Sequence, residues 1–251
     1  MAGIGKDKQR FGLVGKNISY SFSRGYFTEK FKKLGLTHHT YENFDLKDLS
    51  GFRKMASQTN IRGLNVTIPY KEAILPFLDD LDDEARKIGA VNTIKFTAQG
   101  LMGYNTDAYG FRQSLAPLLK KTHSAALVLG TGGASKAIVF VLRELGLDYQ
   151  HVSRNPSVGQ LSYSQLGALD IQKFQLIINC TPVGTFPKVD AKPDLPYEYL
   201  NNNHILFDLI YNPSETAFLK EGKQKGTIVQ NGLPMLEFQA ERAWEIWKSN
   251  E

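Results

Sequence analysis

A single cysteine, Cys180, is the only thiol in this 251-residue chain, which excludes an internal disulfide framework. Without a charged-then-apolar segment at the N-terminus, the chain is expected in the cytoplasm. The lone thiol suits either a nucleophile or a buried small hydrophobe, and the second is the commoner use. Long apolar runs are missing too. AALVLG and FQLIINC fall far short of the roughly 20 residues that a spanning helix needs, so no membrane partner is expected. Basic residues interleaved with aromatics on one helix are also missing. A formal charge of +5 could indicate nucleic acid, but the Lys and Arg are scattered, which argues against it. It fits small anionic ligands, or simple solubility, equally well. Metal ligands are sparse: His38 and His39 are neighbours on an expected strand and face opposite ways, with no carboxylate at ligand spacing, so no metal is expected. No repeat of solenoid period is present.

What is present is a globular composition. At 42% hydrophobic and 22% charged residues the chain is apolar enough to fold, and its length suits one large domain or two compact ones, of which two is preferred. MAGIGKDKQ reads as a disordered lead, with structure beginning at Arg10. RFGLVG reads as a strand, FSRGYFTEKFKKLG as a helix, HHTYENF as a strand, and 45–55 as a helix opening on acidic residues. IRGLNVTI reads as a strand that Pro69 ends, DDLDDEARKIG as a helix, and AVNTIKFTAQGLMGYN as a hairpin turning near Gly100. A helical period over 106–119 leads to a cleaner series. There AALVLG, YQHVSR, FQLIINC, HILFDLI and GTIVQ read as strands and GGASKAIVFVLRELG as a helix. Alternating strands and helices imply a doubly wound, mostly parallel sheet. PVGTFPKVDAKPDLPYEY carries four prolines and reads as a long irregular loop. In LPMLEFQAERAWEIWKSN, Leu236, Ala240, Ala243 and Trp247 share one helical face, available for packing or for dimerisation, and a monomer or homodimer is expected.

LVLGTGGASKA places Gly130, Thr131, Gly132, Gly133 and Ala134 between an apolar strand and a helix. Glycines there permit a tight turn and close approach of a pyrophosphate to the helix N-terminus, although packing alone can also demand them. The next strand ends in VSRNPS, where an NAD site usually carries Asp or Glu. Arg154, with Ser153, Asn155 and Ser157 beside it, suits a 2′-phosphate, so NADP(H) is the expected cofactor; an exposed arginine without a ligand is the bland reading. Hydride chemistry then requires a proton carrier in the other domain. Lys71 in NVTIPYK can give or take that proton, with Asp107 in NTDAYG orienting it. Taken singly, each also reads as a surface charge or a helix cap.

NVTIPYK, GAVNTI, GYNTDAYGF, LGTGGASKA, INCTPVG, DLIYNP and GLPMLEFQA occur in the order, and near the spacings, of the shikimate dehydrogenase family, which the chain resembles from about residue 12 to 247. The resemblance implies an α/β chain of two domains. A substrate-binding catalytic domain with a mixed, mainly parallel sheet spans 1–105 and is completed by a C-terminal helix over 232–251. A Rossmann-type NADP-binding domain spans 106–231. The family reduces 3-dehydroshikimate to shikimate with NADPH. By motif, Ser21 and Ser23 would bind the substrate carboxylate, Asn65, Thr67, Asn92 and Gln239 the ring hydroxyls, and Lys71 and Asp107 would form the catalytic pair. Tyr211 would approach the substrate from the cofactor domain, with Thr181 and Gly232 running past the nicotinamide and Asn179 beside them. For these last positions a reading as strand-end residues that satisfy the backbone stays equally open.

Some positions depart from the family pattern. Phe27 stands where histidine often follows the paired serines, Thr185 where methionine often follows INCTPVG, and SRN where NRT is frequent. Pro234 interrupts the usual GLGML. Substrate selectivity is thereby left between shikimate and quinate, and a paralogue accepting NAD stays in view. A binding module without turnover would be favoured by loss of Lys71 or Asp107, and both are present.

Overall fold

A computed structural model describes residues 8–19, 21–58 and 60–249. The expected disordered lead falls largely on 1–7, outside the described residues; its last residue, Gln9, already opens a strand. The first elements are β1 (Gln9–Gly15), α1 (Phe22–Lys33), β2 (His39–Asp45), α2 (Phe52–Ala56), β3 (Ile61–Val66) and α3 (Tyr70–Ala73). They are followed by β4 (Asp80–Leu81), α4 (Asp83–Ile88), β5 (Thr93–Thr97) and β6 (Gly100–Tyr104). The six strands form one sheet in the order β2-β1-β3-β5-β6-β4. Its pairs are parallel except β3 with β5 and β5 with β6, which makes the sheet mixed and mainly parallel.

Two expectations need correction. Asp45 does not open a helix: it is the last residue of β2, and its carboxylate accepts from Asn17 N (2.9 Å) and Ile18 N (3.2 Å), holding the turn after β1. Helical backbone begins only at Leu49, where Asp48 supplies the cap by accepting from Ser50 N. DDLDDEARKIG likewise divides. Asp80 and Leu81 pair with Met102 and Gly103 of β6, and the helix starts only after Asp82, whose carboxylate accepts from Ala85 N. In both stretches the helix starts where a side chain satisfies an orphan N–H, not where acidity first rises.

The second series comprises α5 (Thr106–Leu115), β7 (Ala125–Leu129), α6 (Gly133–Glu144), β8 (Asp148–Val152), α7 (Ala168–Lys173) and β9 (Leu176–Asn179). After a long irregular stretch come β10 (Ile205–Asp208), α8 (Ala217–Gln224), β11 (Ile228–Gln230) and α9 (Leu233–Lys248). The sheet order is β11-β10-β9-β7-β8 with every pair parallel, a doubly wound Rossmann-like layer. α7 and α8 escape the sequence reading because each is short, 6 and 8 residues. Pro234 falls in the first turn of α9, where a missing N–H costs no intrahelical bond.

The chain divides into a unit of residues 1–106 with 240–251 and a unit of residues 107–239, so the boundary crosses α9. In the first unit Ala240, Ala243, Trp244, Ile246 and Trp247 join Phe11, Phe27, Phe31 and Tyr41 in an aromatic-rich core. Trp247 Nε1 donates to Ile94 O (3.0 Å), and a Cβ on Gly63 would come within 2.3 Å of the indole, so this strand glycine is a packing requirement. The expected apolar stripe therefore serves packing, with Leu236 only half-buried. The second unit is built on Leu127, Leu129, Ile177, Leu206 and Phe218, all fully buried or nearly so.

Candidate functional site

In the first unit the expected substrate residues lie at the head of α1, on β3 and in the turn and short helix α3 that follow it, and just before β5. The Ser21 hydroxyl caps α1 by accepting from Ser23 N (3.2 Å), which leaves Ser23 buried on the first turn. Asn65 on β3 lies between Leu13 of β1 and Thr93 of β5. Thr67 follows the strand and is half-buried. Lys71 sits on the single turn of α3 and is half-buried; its carbonyl accepts from Val91 N (2.8 Å), which ties the lysine's turn to the GAVN segment.

Asn65 and Asn92 are 5% and 3% exposed, so their amides need partners within the protein. Asn65 Oδ1 accepts from Tyr41 Oη (2.7 Å), and its Nδ2 donates to Thr93 Oγ1 (3.2 Å) and Asn92 O (3.3 Å). Thr93 Oγ1 donates to Asn92 Oδ1 (3.2 Å). Asn92 Oδ1 accepts from Thr106 N (2.7 Å), and Asn92 Nδ2 donates to Thr106 Oγ1 (3.0 Å). Tyr41 also hydrogen-bonds Ser23, and its desolvated phenol is pushed far above the ordinary tyrosine value, so it stays a proton donor. Phe27, the departure from the family's histidine, stacks on Tyr41 with centroids 4.6 Å apart and planes 9° apart.

In the second unit Asp107 and Gln239 are each 7% exposed. Asp107 opens α5, and the helix packs so closely on α9 that a Cβ on Gly110 would meet Met235 O at 2.4 Å and Gln239 Cβ at 3.1 Å. That crossing sets the helix of Asp107 against the residue Gln239.

The glycine turn follows β7. Gly130 has φ +98°, a conformation that favours glycine, and its N–H donates to Val152 O of β8 (2.9 Å). Gly132 caps α6 with no side-chain bond, a Cβ there would meet nothing within 4 Å, and the first turn carries no acidic residue. Open amides at a helix N-terminus suit a pyrophosphate. Past β8, Ser153 is half-buried and Arg154 and Asn155 are exposed; the Ser153 hydroxyl and the Asn155 backbone close a small turn. The sequence puts no carboxylate in this turn, so the donor set fits a dinucleotide with a 2′-phosphate.

Between β9 and β10 the structure shows a polar hub not singled out in sequence. Asp208, fully buried, accepts from Asn179 Nδ2 (3.0 Å), Ile210 N (3.0 Å) and Thr216 Oγ1 (2.6 Å). Asn179 Oδ1 in turn accepts from Thr181 N and Oγ1 (3.0 and 2.6 Å), shaping the INCTPVG turn. Burial pushes the Asp208 carboxyl up to about 6 against these stabilising bonds. The signal lay in DLIYNP, where Asp208 ends an otherwise apolar strand and demands partners. Tyr211, just past the end of β10, is half-buried. Gly232 has a packing role that needs no cofactor: a Cβ would lie 2.1 Å from Leu209 O. Desolvation, with Asp208 adding to it, drives the half-buried Cys180 thiol far up, which favours the hydrophobe over the nucleophile.

A mixed α/β unit and a doubly wound unit with a phosphate-compatible glycine turn, joined in one chain, define a nicotinamide-dependent dehydrogenase. Residues 13–94 match the model of the shikimate dehydrogenase substrate binding domain. The NADP⁺-dependent shikimate dehydrogenase of Clostridium botulinum is 38% identical over 95% of this chain and 96% of its own. That of Methanococcus vannielii is 37% identical over 94% and 90%. The structure of shikimate 5-dehydrogenase from Thermus thermophilus, in complex with NADP(H) and shikimate, superposes with a TM-score of 0.84 at 35% identity, covering 96% of this chain and 93% of that one. The chain belongs to the shikimate dehydrogenase family.

Proposed function

We propose that this chain catalyses the reversible, NADPH-dependent reduction of 3-dehydroshikimate to shikimate. The observation that supports it most is the ordered, buried polar set Ser23, Asn65, Asn92 and Thr93, suited to a small polyhydroxylated ring, in a chain whose other unit bears a glycine turn and Arg154. Residues 1–105 with 232–251 bind substrate, and 106–231 bind the cofactor. Ser21 and Ser23 take the carboxylate; Asn65, Thr67, Asn92, Tyr211 and Gln239 orient the ring. Gly130, Thr131, Gly132, Gly133 and Ala134 hold the pyrophosphate, and Ser153, Arg154 and Asn155 the 2′-phosphate, with Thr181 and Gly232 beside the nicotinamide. When bound, the cofactor supplies hydride to the carbonyl carbon. The Lys71 ammonium gives its proton to the carbonyl oxygen and takes one back in the reverse direction, while Asp107 orients the amine. The enzyme works in the cytoplasm as a monomer or homodimer; no described helix is long and apolar enough to cross a membrane.

Purified protein with shikimate and NADP⁺ is expected to produce reduced cofactor. Lys71→Ala should lower kcat by about 10²- to 10⁴-fold while shikimate binding changes little, and equal turnover in that variant would remove the lysine from the reaction. Parallel rates with quinate and with NAD⁺ test the substrate and cofactor assignments; faster turnover with either would redirect the reading.

A further inference from the structure

Every substrate residue expected in the first unit comes from a family motif, yet two of them are held by a side chain outside those motifs. Tyr41, on β2, is 5% exposed, and its hydroxyl lies between Ser23 and Asn65. The acceptor and donor ends of an asparagine amide are interchangeable in shape, so its hydrogen-bond partners decide which end faces which way. Here the decision is unambiguous. The Tyr41 hydroxyl donates to Asn65 Oδ1, and the Thr93 hydroxyl and Asn92 carbonyl take the protons of Asn65 Nδ2. Thr93 then passes the orientation on, because its hydroxyl donates to Asn92 Oδ1, the atom that also accepts from Thr106 N at the head of α5.

We propose that Tyr41 and Thr93 are positioning residues that lock the amides of Asn65 and Asn92, and the hydroxyl of Ser23, into the orientation that reads the substrate's hydroxyls and carboxylate. The chain runs Ser23, Tyr41, Asn65, Thr93, Asn92, Thr106, all 9% exposed or less, so bulk water does not readily replace a lost partner. Tyr41 is itself fixed by its stack on Phe27. Phe27 thereby supports the substrate face through Tyr41 rather than by touching a ligand. The inference rests on the proposed reaction for its kinetic arm only.

Tyr41→Phe removes one oxygen and keeps the ring stack. It is expected to raise KM for shikimate about tenfold, in line with loss of one buried hydrogen bond, while KM for NADP⁺ stays within twofold. Thr93→Val should behave likewise, and Thr93→Ser, which keeps the hydroxyl, should restore the wild-type KM. A shikimate KM within twofold of wild type in both Tyr41→Phe and Thr93→Val would overturn the proposal. So would a parallel rise of both KM values, which marks general loosening. Side-chain amide NMR provides an arm independent of turnover. In wild type the Asn65 Nδ2 protons should exchange slowly with water, and Tyr41→Phe or Thr93→Val should shift them and speed exchange. Exchange in wild type at the rate of an exposed asparagine overturns the proposal whatever the activity. If wild type does not oxidise shikimate, the proposed reaction fails by itself and the amide spectra alone decide the positioning.

Discussion

Asp208→Asn tests the polar hub between β9 and β10 with a change of one atom. Asparagine can keep the geometry: its Oδ1 accepts from Asn179 Nδ2 and Ile210 N, and its Nδ2 faces Thr216 Oγ1. What it removes is the charge. The Asp208 carboxyl is raised from the ordinary 3.8 to about 6, chiefly by burial. The folded state therefore binds this proton more tightly than the unfolded chain, and ionisation of Asp208 costs stability progressively as pH rises from about 4 to about 6. Linkage puts the full cost at about 3 kcal/mol, of which about 2 kcal/mol develops between about pH 4.5 and about pH 7.5. Other titrating groups cancel in the difference between wild type and variant. Urea unfolding followed by circular dichroism across that range should show the variant gaining about 2 kcal/mol on wild type as pH rises. A pH-independent difference, or a variant that loses ground with rising pH, would refute a buried carboxyl with a raised pKa.

Trp247→Ala should cost about 3 to 5 kcal/mol, measured by urea unfolding, because the indole fills the space over Gly63 and donates to Ile94 O; a loss below about 1 kcal/mol would contradict the packing. Gly232→Ala should cost at least about 1 to 3 kcal/mol, since its Cβ would overlap Leu209 O, and unchanged thermal stability would show that the turn relaxes freely. Arg154→Ala should raise KM for NADP⁺ about 10- to 100-fold, the worth of a charge-assisted hydrogen bond, with NAD⁺ kinetics unaltered; equal losses for both cofactors would place the arginine elsewhere. Cys180, with its thiol pKa pushed far up, should alkylate more slowly at neutral pH than a free cysteine; prompt modification of the native protein would overturn that.

Periodicity and punctuation locate most strands, the hairpin at Gly100 and the glycine turn after β7, because those signals are local: alternation, an apolar run, a glycine that must adopt a positive φ. Motif order names the family and supplies the proposed site residues, Lys71 and Asn65 among them. The helix starts at 45–55 and 79–89 are misread from sequence because a carboxylate three residues away can be a cap, a loop tie or a strand end, and only its N–H partner tells which. The strap from Ser23 through Tyr41 to Thr106 is invisible in sequence for a stronger reason. Its members come from α1, β2, β3, β5 and the residue just before it, and the head of α5, and nothing in their spacing predicts that a tyrosine on one strand donates to an asparagine two strands away. Sequence determined which chemical groups the chain has and the elements that carry them. Tertiary packing decided the direction in which each buried amide points, since hydrogen-bond satisfaction in a dry interior is settled by neighbours in space.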